Sequence, residues 1–561
     1  MIQKGRVTKS IPSVLSIPEK LNGFLLRVLK LRLPLERRFS MRDLLFVLGA
    51  FLLFVLKTLV PMPGTLQTVF TILVLMLALI PVLLQGLRLV LTRVFPWEEA
   101  TVLAVALIAV LLKKTGVSVA FLLCTVFLWQ IEGYCLLHVE AAPNALTDLD
   151  EGIRARVLAA DEEKSAERRA AAFASVVFFT VFLLIAVIMA VLSLFHLQNA
   201  ALWFQRCFVP LMLAAPSAVL FSSMLTHFGA VFSAAKAGAF FRNDQIPEEF
   251  AGCRIFAFGK TGTVTDGRFV ISGIMPVGVT EEELLRIAAV AECKSDHPIA
   301  VALKTAAGLK EGVIPSGVLN VVKIPGKGVS TFFSGRQIYV GNARLLDEHN
   351  IWYQVPSKSG TAIHVAVDST YRGYILISDT IRENAFEAME ELRAHGVKQI
   401  AMLTGDVQSV SRVVASSLNF DMVKSQLTAK EKASAVHYLK SSQGDRSKIA
   451  VVGDGVHDTA MFEEADVSVC MEQIPDNGVD LSVCSDDILT IPQVYKICKD
   501  TERVFYATVF GLFGVKLLLC VLGLFQVLPL MLLAVVDFAA DAAAVIYSLT
   551  CLTLDRRGNR G

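Results

Sequence analysis

The chain has 561 residues, 54% of them hydrophobic, and a mean hydropathy of +0.57, too apolar for a purely soluble protein and long enough for several domains. A net charge of only +2 gives no case for nucleic acid as a partner. The ten cysteines are scattered without a Cys-x-x-Cys pair, which argues for reduced cytosolic or membrane-core thiols and against a disulfide framework.

In chain order, residues 1–42 form a basic arm. Lys4, Arg6, Lys9, Lys20, Arg27, Lys30, Arg32, Arg37, Arg38 and Arg42 crowd the stretch before the first apolar run, and the positive-inside rule keeps this end in the cytoplasm. Leu21, Leu25, Leu26 and Leu29 sit at helical spacing, which suits a helix lying on the membrane surface; a solvated tail fits equally well. The first apolar run starts too late for a cleavable signal and has no small-residue cleavage site behind it. Four transmembrane spans are predicted within 43–136, near 43–61, 67–92, 98–113 and 117–136, the third of them short. A polar stretch, 137–165, separates them from two further spans in 166–236, near 170–195 and 201–232. A mostly soluble block follows from about 237 to 500, and a last pair of spans near 504–525 and 529–552 lies in the 501–561 segment. Eight spans place both termini and the soluble block on the cytoplasmic side of a multi-pass cell-membrane protein.

The soluble block alternates strands and helices, the pattern of a parallel α/β sheet. Strands are predicted at 253–258, 398–403 and 448–452, the second running into Thr404-Gly405-Asp406 and the third into Gly453-Asp454-Gly455. A helix from Asn384 should stop near Gly396, and another should start at Thr428 with a capping box to Glu431. Polar loops at the carboxyl ends of parallel strands are where such sheets bind ligands.

One stretch organises the rest: Phe256-Ala257-Phe258-Gly259-Lys260-Thr261-Gly262-Thr263-Val264-Thr265-Asp266-Gly267. It resembles the phosphorylation loop of P-type ATPases, Asp-Lys-Thr-Gly-Thr-Leu-Thr, with Gly259 where the family has its nucleophilic aspartate. Further signatures follow in order: Glu292, Ser295-Asp296-His297-Pro298, Gly326-Lys327-Gly328, Gly341-Asn342, Asp379 with Arg382, Thr404-Gly405-Asp406, Lys432, and Gly453-Asp454-Gly455 with Asp458. From about 43 to 552 the layout is similar to the heavy-metal branch of that family. The resemblance implies an α-helical membrane domain plus an α/β cytoplasmic phosphorylation domain with a haloacid-dehalogenase-like Rossmannoid sheet (237–268 and 377–500). An α+β nucleotide-binding domain is inserted at 269–376. It implies ATP and Mg²⁺ as cofactors. Glu292 and His297 would lie at the adenine, with Gly326, Gly328, Gly341 and Asn342 beside it. Lys260, Thr261 and Lys432 would act at the phosphates, with Thr404, Gly405 and Asp406 cradling the transferred group. Asp454 and Asp458 would form the Mg²⁺ neighbourhood.

The last two spans carry Lys516 and Asp537, each about ten residues from the intervening turn, or roughly 15 Å deep at 1.5 Å per residue. Charges at that depth usually pair or serve transport. Zinc/cadmium/lead-type pumps carry a lysine and an aspartate in these places. Asp541, one turn on, could add an oxygen ligand, which would suit a harder cation.

The departures matter as much. Ala215-Pro216-Ser217 stands where heavy-metal pumps carry Cys-Pro-Cys; Pro216 remains to break the helix, but Ser217 is a poor substitute for a zinc thiolate. Cys207, Cys520 and His227 lie elsewhere in the spans and do not assemble into a site. His457 replaces a family asparagine. Only a short polar remnant lies between the fourth and fifth spans, with no Thr-Gly-Glu loop to hydrolyse a phosphoenzyme. A glycine cannot attack ATP, so the expectation is a pseudo-pump or nucleotide-responsive regulator that binds ATP, its partners being membrane lipid and an intact pump or actuator-bearing protein. An active ATP-driven transporter, with an actuator supplied in trans, and a structural membrane protein with an inert cytosolic block stay open as alternatives.

Overall fold

The computed structural model describes residues 40–61, 63–91, 97–111, 113–141, 166–195, 200–214, 217–242, 245–295, 297–309, 314–356, 360–442, 447–455, 458–471 and 479–551. The basic arm, most of the polar stretch 137–165, Asp296, Pro216 and His457 lie outside them. The chain divides into a unit of Met1–Ala251 with Lys496–Gly561 and a unit of Gly252–Tyr495.

The first unit is helical. Among the described residues six helices are long and apolar enough to cross a membrane: Gly64–Leu87, Thr115–Cys135, Ser175–Phe195, Arg206–Lys236, Thr490–Leu524 and Leu530–Cys551. Two of the eight expected spans fall short of that measure. Met41–Leu59 spends part of its length on Arg42, Asp43 and Lys57. The apolar part of the third is only Ala100–Leu111, whereas a bilayer core of about 30 Å asks for about 20 residues. The expected sixth span is two helices, Ala200–Leu213 and Ser217–Lys236, on either side of Pro216. Ser175–Phe195 buries 22% of its most apolar window and Thr115–Cys135 buries 72%, so the former presents its Leu184, Val187 and Leu194 outward, where lipid would cover them, while the latter packs inside. Val105, Leu122, Phe182, Phe208, Met212 and Leu533 form the interior.

The second unit holds two sheets. In the first, neighbouring strands run in the order Leu481–Val483, Val467–Cys470, Lys448–Gly453, Cys253–Gly259, Gln399–Leu403, Met422–Lys424, all parallel. Cys253–Gly259 is buried at every position but Arg254, as a central strand covered on both faces must be. Tyr495 closes its start, donating from its hydroxyl to the Cys253 carbonyl at 2.7 Å and meeting Phe256 edge-on. The expected caps form. The Ala385–Ala394 helix ends before Gly396, whose φ of +97° takes the left-handed turn. The Thr428 amide donates to Glu431 Oε2 at 2.8 Å while the Glu431 amide donates to Thr428 Oγ1 at 3.4 Å. The second sheet is antiparallel, in the order Thr265–Pro276, Thr370–Ile381, Thr361–Val367, Arg336–Gly341, Gly328–Phe333, Val318–Ile324. Leu284, Ala288, Leu303, Val340, Val365 and Ile375 form its core against the helices Glu281–Ala291 and Pro298–Ala306.

Candidate functional site

Three adjacent parallel strands, Lys448–Gly453, Cys253–Gly259 and Gln399–Leu403, end side by side, and their loops carry the expected phosphate-site residues. Gly259 ends the middle strand and the chain turns through Lys260–Val264, where Gly262 has a φ of +72°. A Cβ on Gly262 would lie 3.1 Å from Asp454 Cβ, so this turn needs glycine both for its backbone angle and for the carboxylate packed against it. Arg382 fastens the turn, donating from Nε to the Thr263 carbonyl at 2.8 Å and from an η nitrogen to the Gly262 carbonyl at 3.3 Å.

Lys260 is buried and forms ion pairs with Asp406, in close contact, and with Asp379 at 3.9 Å. Asp379 accepts from Thr265 Oγ1 at 2.5 Å; burial pushes its carboxyl above the usual range, and the Thr265 hydroxyl and Lys260 pull it back. Asp406 is no helix cap: the next helix, Gln408–Ser417, follows Val407, and the Asp406 amide donates to Thr404 Oγ1 at 3.1 Å. Lys432 donates from Nζ to Asp458 Oδ1 at 2.8 Å, and the Asp454 amide donates to Asp458 Oδ2 at 3.4 Å. Burial raises the Asp458 carboxyl, opposed by Lys432. Two lysines and four carboxylates thus meet around the strand ends, the lysines of a type that can meet phosphate oxygens and the carboxylates of a type that can hold a counter-cation.

No three His, Cys, Asp or Glu side chains among the described residues are placed to hold a metal ion together. Asp458 is turned to Lys432, so of the two expected carboxylates Asp454 is the one that would be left to offer a hard oxygen. One carboxylate fits Mg²⁺, which usually takes its remaining ligands from substrate phosphates and water.

In the antiparallel part the residues expected at the nucleotide have local partners of their own. Gly328 and Gly341 face each other across paired strands. A Cβ on Gly328 would lie 2.2 Å from the Val340 carbonyl oxygen, and one on Gly341 would lie 2.1 Å from that of Lys327. These glycines let two strands approach each other, a local reason that does not require a nucleotide. Asn342 caps the Ala343–Glu348 helix and donates from Nδ2 to the Gly326 carbonyl at 2.8 Å, tying the two glycine motifs together. His297 is the cap of Pro298–Ala306, its Nδ1 accepting from the Ile299 amide at 3.2 Å, with the ring exposed. Glu292 is buried, and burial raises its carboxyl against the opposing pull of Ser295, Lys323 and Lys304.

In the membrane unit Lys516 reaches both acids: Nζ lies 3.1 Å from Asp537 Oδ1 and 2.9 Å from Asp541 Oδ2, with the lysine side chain 0% exposed. Pro216 is outside the described residues, and Ser217 opens the Ser217–Lys236 helix. One residue escaped the sequence reading, and another was quoted without a role. Glu132 is wholly buried in Thr115–Ala141, and the signal for it was a single carboxylate in an apolar run. Thr263, part of the quoted loop signature but given no role of its own there, is wholly buried beside Gly259 with no hydrogen-bond partner for its hydroxyl.

The haloacid dehalogenase-like hydrolase family profile matches residues 253–466. The chain is 31% identical over 381 residues to a "Cadmium, zinc and cobalt-transporting ATPase" of Bacillus subtilis (strain 168), 67% of this chain and 54% of that one. It is 31% identical over 326 residues to a "Zinc-transporting ATPase" of Synechocystis sp. (strain ATCC 27184 / PCC 6803 / Kazusa), 57% of this chain and 45% of that one. The chain thus spans about half the length of the curated relatives it matches. A crystal structure of a zinc-transporting PIB-type ATPase in the E2.Pi state shares the fold, with a TM-score of 0.59 at 20% identity over 91% of this chain and 100% of that one. On these comparisons the chain is similar over its matched part to heavy-metal-transporting ATPases, carries a match to the haloacid dehalogenase-like hydrolase family over 253–466, and joins membrane-length apolar helices to an α/β unit in the fold of a PIB-type ATPase.

Proposed function

We propose that the protein is an ATP-dependent translocase of a divalent cation. The observation that carries this reading is the joining of Lys260, Thr404, Asp406, Lys432 and Asp454 around the ends of three adjacent parallel strands, a cationic and carboxylate-rich setting suited to phosphoryl chemistry. ATP binds with its adenine near Glu292 and His297 and its phosphates toward Lys260 and Lys432. Mg²⁺ accompanies the phosphates at Asp454 and supplies charge neutralisation there. In the membrane, Asp537 and Asp541 offer oxygen ligands with Lys516 as built-in counter-ion; zinc, cadmium and cobalt, named for the relatives, and harder divalent ions are the substrate class. Both termini and the catalytic unit are cytoplasmic on this reading, in keeping with the basic arm.

Gly259 favours a second reading, a nucleotide-binding protein that does not pump and works on an intact pump or through an actuator-bearing partner. Purified full-length protein in liposomes separates the two. Cation-stimulated ATP turnover with Zn²⁺, Cd²⁺, Co²⁺ or Mn²⁺, together with cation uptake, is expected of a translocase. Absence of turnover with all four, while ATP still raises the melting temperature, refutes translocation and leaves the second reading. A Gly259→Asp variant run in parallel tells whether one carboxylate is all that is missing.

A further inference from the structure

A carboxylate does lie where residue 259 has none. A Cβ built on Gly259 would be 2.6 Å from Asp458 Oδ2 and 3.5 Å from Asp458 Cγ. Ordinary bond lengths put an aspartate's own carboxylate oxygen about 2.4 Å from its Cβ. Asp458 Oδ2 therefore sits within the volume that an aspartate side chain at 259 would fill. It arrives there from the loop after the neighbouring strand, Lys448–Gly453. Two glycines make the placement possible: a side chain at 259 would collide with it, and a Cβ on Gly453 would lie 2.7 Å from both Asp458 Cβ and Oδ2.

We propose that Asp458 is the phosphoryl acceptor of this chain, its carboxylate standing in for the missing one at 259. Lys432 holds Oδ1 at 2.8 Å and the Asp454 amide donates to Oδ2 at 3.4 Å, and together they orient the group with Oδ2 against Gly259. Thr263 Oγ1 lies 3.2 Å from the same Cβ position, wholly buried and without a hydrogen-bond partner, so a hydroxyl is at hand for a phosphoryl oxygen there. Lys260, buried behind the same strand end, adds positive charge. The step balances with ATP alone. Asp458 Oδ2 attacks the γ-phosphorus, the bond from that phosphorus to the β,γ-bridging oxygen breaks, and ADP leaves with the electron pair. The acceptor reacts as a carboxylate, so no proton need move. The product is an aspartyl phosphate at 458, its Oδ1 kept by Lys432 while Oδ2 carries the phosphoryl group.

This rests on the nucleotide-binding part of the proposed function, and the experiment separates the two. Full-length protein is incubated with ATP labelled at the γ-phosphate, quenched in acid and run on an acidic gel. Borohydride reduction of an aspartyl phosphate leaves homoserine, whose position is read by mass spectrometry. The ATP-induced rise in melting temperature is measured in parallel. Expected are an acid-stable, hydroxylamine-labile label, homoserine at position 458 in the parent protein that shows the melting shift, and at least a tenfold loss of label in Asp458→Asn. A melting shift without label overturns the acceptor role and leaves nucleotide binding standing. Label mapped to Asp454 or Asp406, or label persisting in Asp458→Asn, also overturns it. Absence of both shift and label overturns this inference together with the nucleotide reading. The homoserine position is read on the unmodified protein, so misfolding of a variant cannot obscure the result.

Discussion

Replacing Lys516 by methionine should destabilise the membrane unit by about 3–5 kcal/mol. The lysine Nζ lies 2.9 Å from Asp541 and 3.1 Å from Asp537, and its side chain is 0% exposed. At an effective dielectric of about 20, attraction across roughly 3 Å amounts to about 5–6 kcal/mol per contact. Desolvating three ions offsets this by several kcal/mol for each, roughly, so the intact cluster is near break-even. Removing the lysine alone deletes both attractions and leaves two like charges buried beside each other. The triple replacement Lys516→Met, Asp537→Asn, Asp541→Asn removes the charges together and should regain most of the loss, because the desolvation penalty goes with them. The assay is thermal unfolding of purified full-length protein in detergent, followed with a dye that reacts with buried thiols such as Cys135 and Cys520 as they become exposed. The reasoning fails if Lys516→Met melts together with the parent, or if the triple variant is the less stable of the two.

Three further outcomes follow from the catalytic unit. Gly341→Ala should destabilise it by at least about 3 kcal/mol, read as a lowered melting temperature, because the added carbon meets a backbone carbonyl and not a side chain that can turn away. His297→Ala should lose about 1 kcal/mol of capping without nucleotide; on the proposed function its ATP-induced melting shift also shrinks, and equal shifts in both proteins would remove His297 from the adenine site. Glu292→Gln should alter the pH profile of stability. Burial raises the Glu292 carboxyl, so its contribution is fully present below the ordinary value of 4.5 and is lost as pH rises through the folded-state value. The glutamine variant should therefore gain on the parent as pH rises from 4.5 through the folded-state value, hold that gain above it and match the parent below 4.5; a constant offset at all pH values would mean the carboxyl is not the cause.

Much of this protein is written locally. Apolar runs long enough for a bilayer, the buried strand from Cys253, the Thr428–Glu431 cap and the left-handed Gly396 all depend on a few neighbouring residues, so the order of letters suffices to predict them. The absence of a carboxylate at Gly259 is likewise plain from the sequence, since it is a property of one residue. What a residue meets across the fold is not. Gly328 and Gly341 read as openings for a nucleotide, and only the pairing of their strands shows that a Cβ on either would also meet a backbone carbonyl of the opposite strand, Val340 or Lys327. His297 reads as a base contact, and its Nδ1 is occupied with a helix amide. Asp541 reads as an optional ligand, and helix packing makes it an equal partner of Lys516. Asp458 lies 199 positions from Gly259 in the chain, yet parallel pairing of Lys448–Gly453 with Cys253–Gly259 brings its oxygen into the glycine's empty side. Local conformation follows from short-range sterics and periodicity, whereas these meetings depend on sheet order and register, which bring together loops that the sequence keeps far apart.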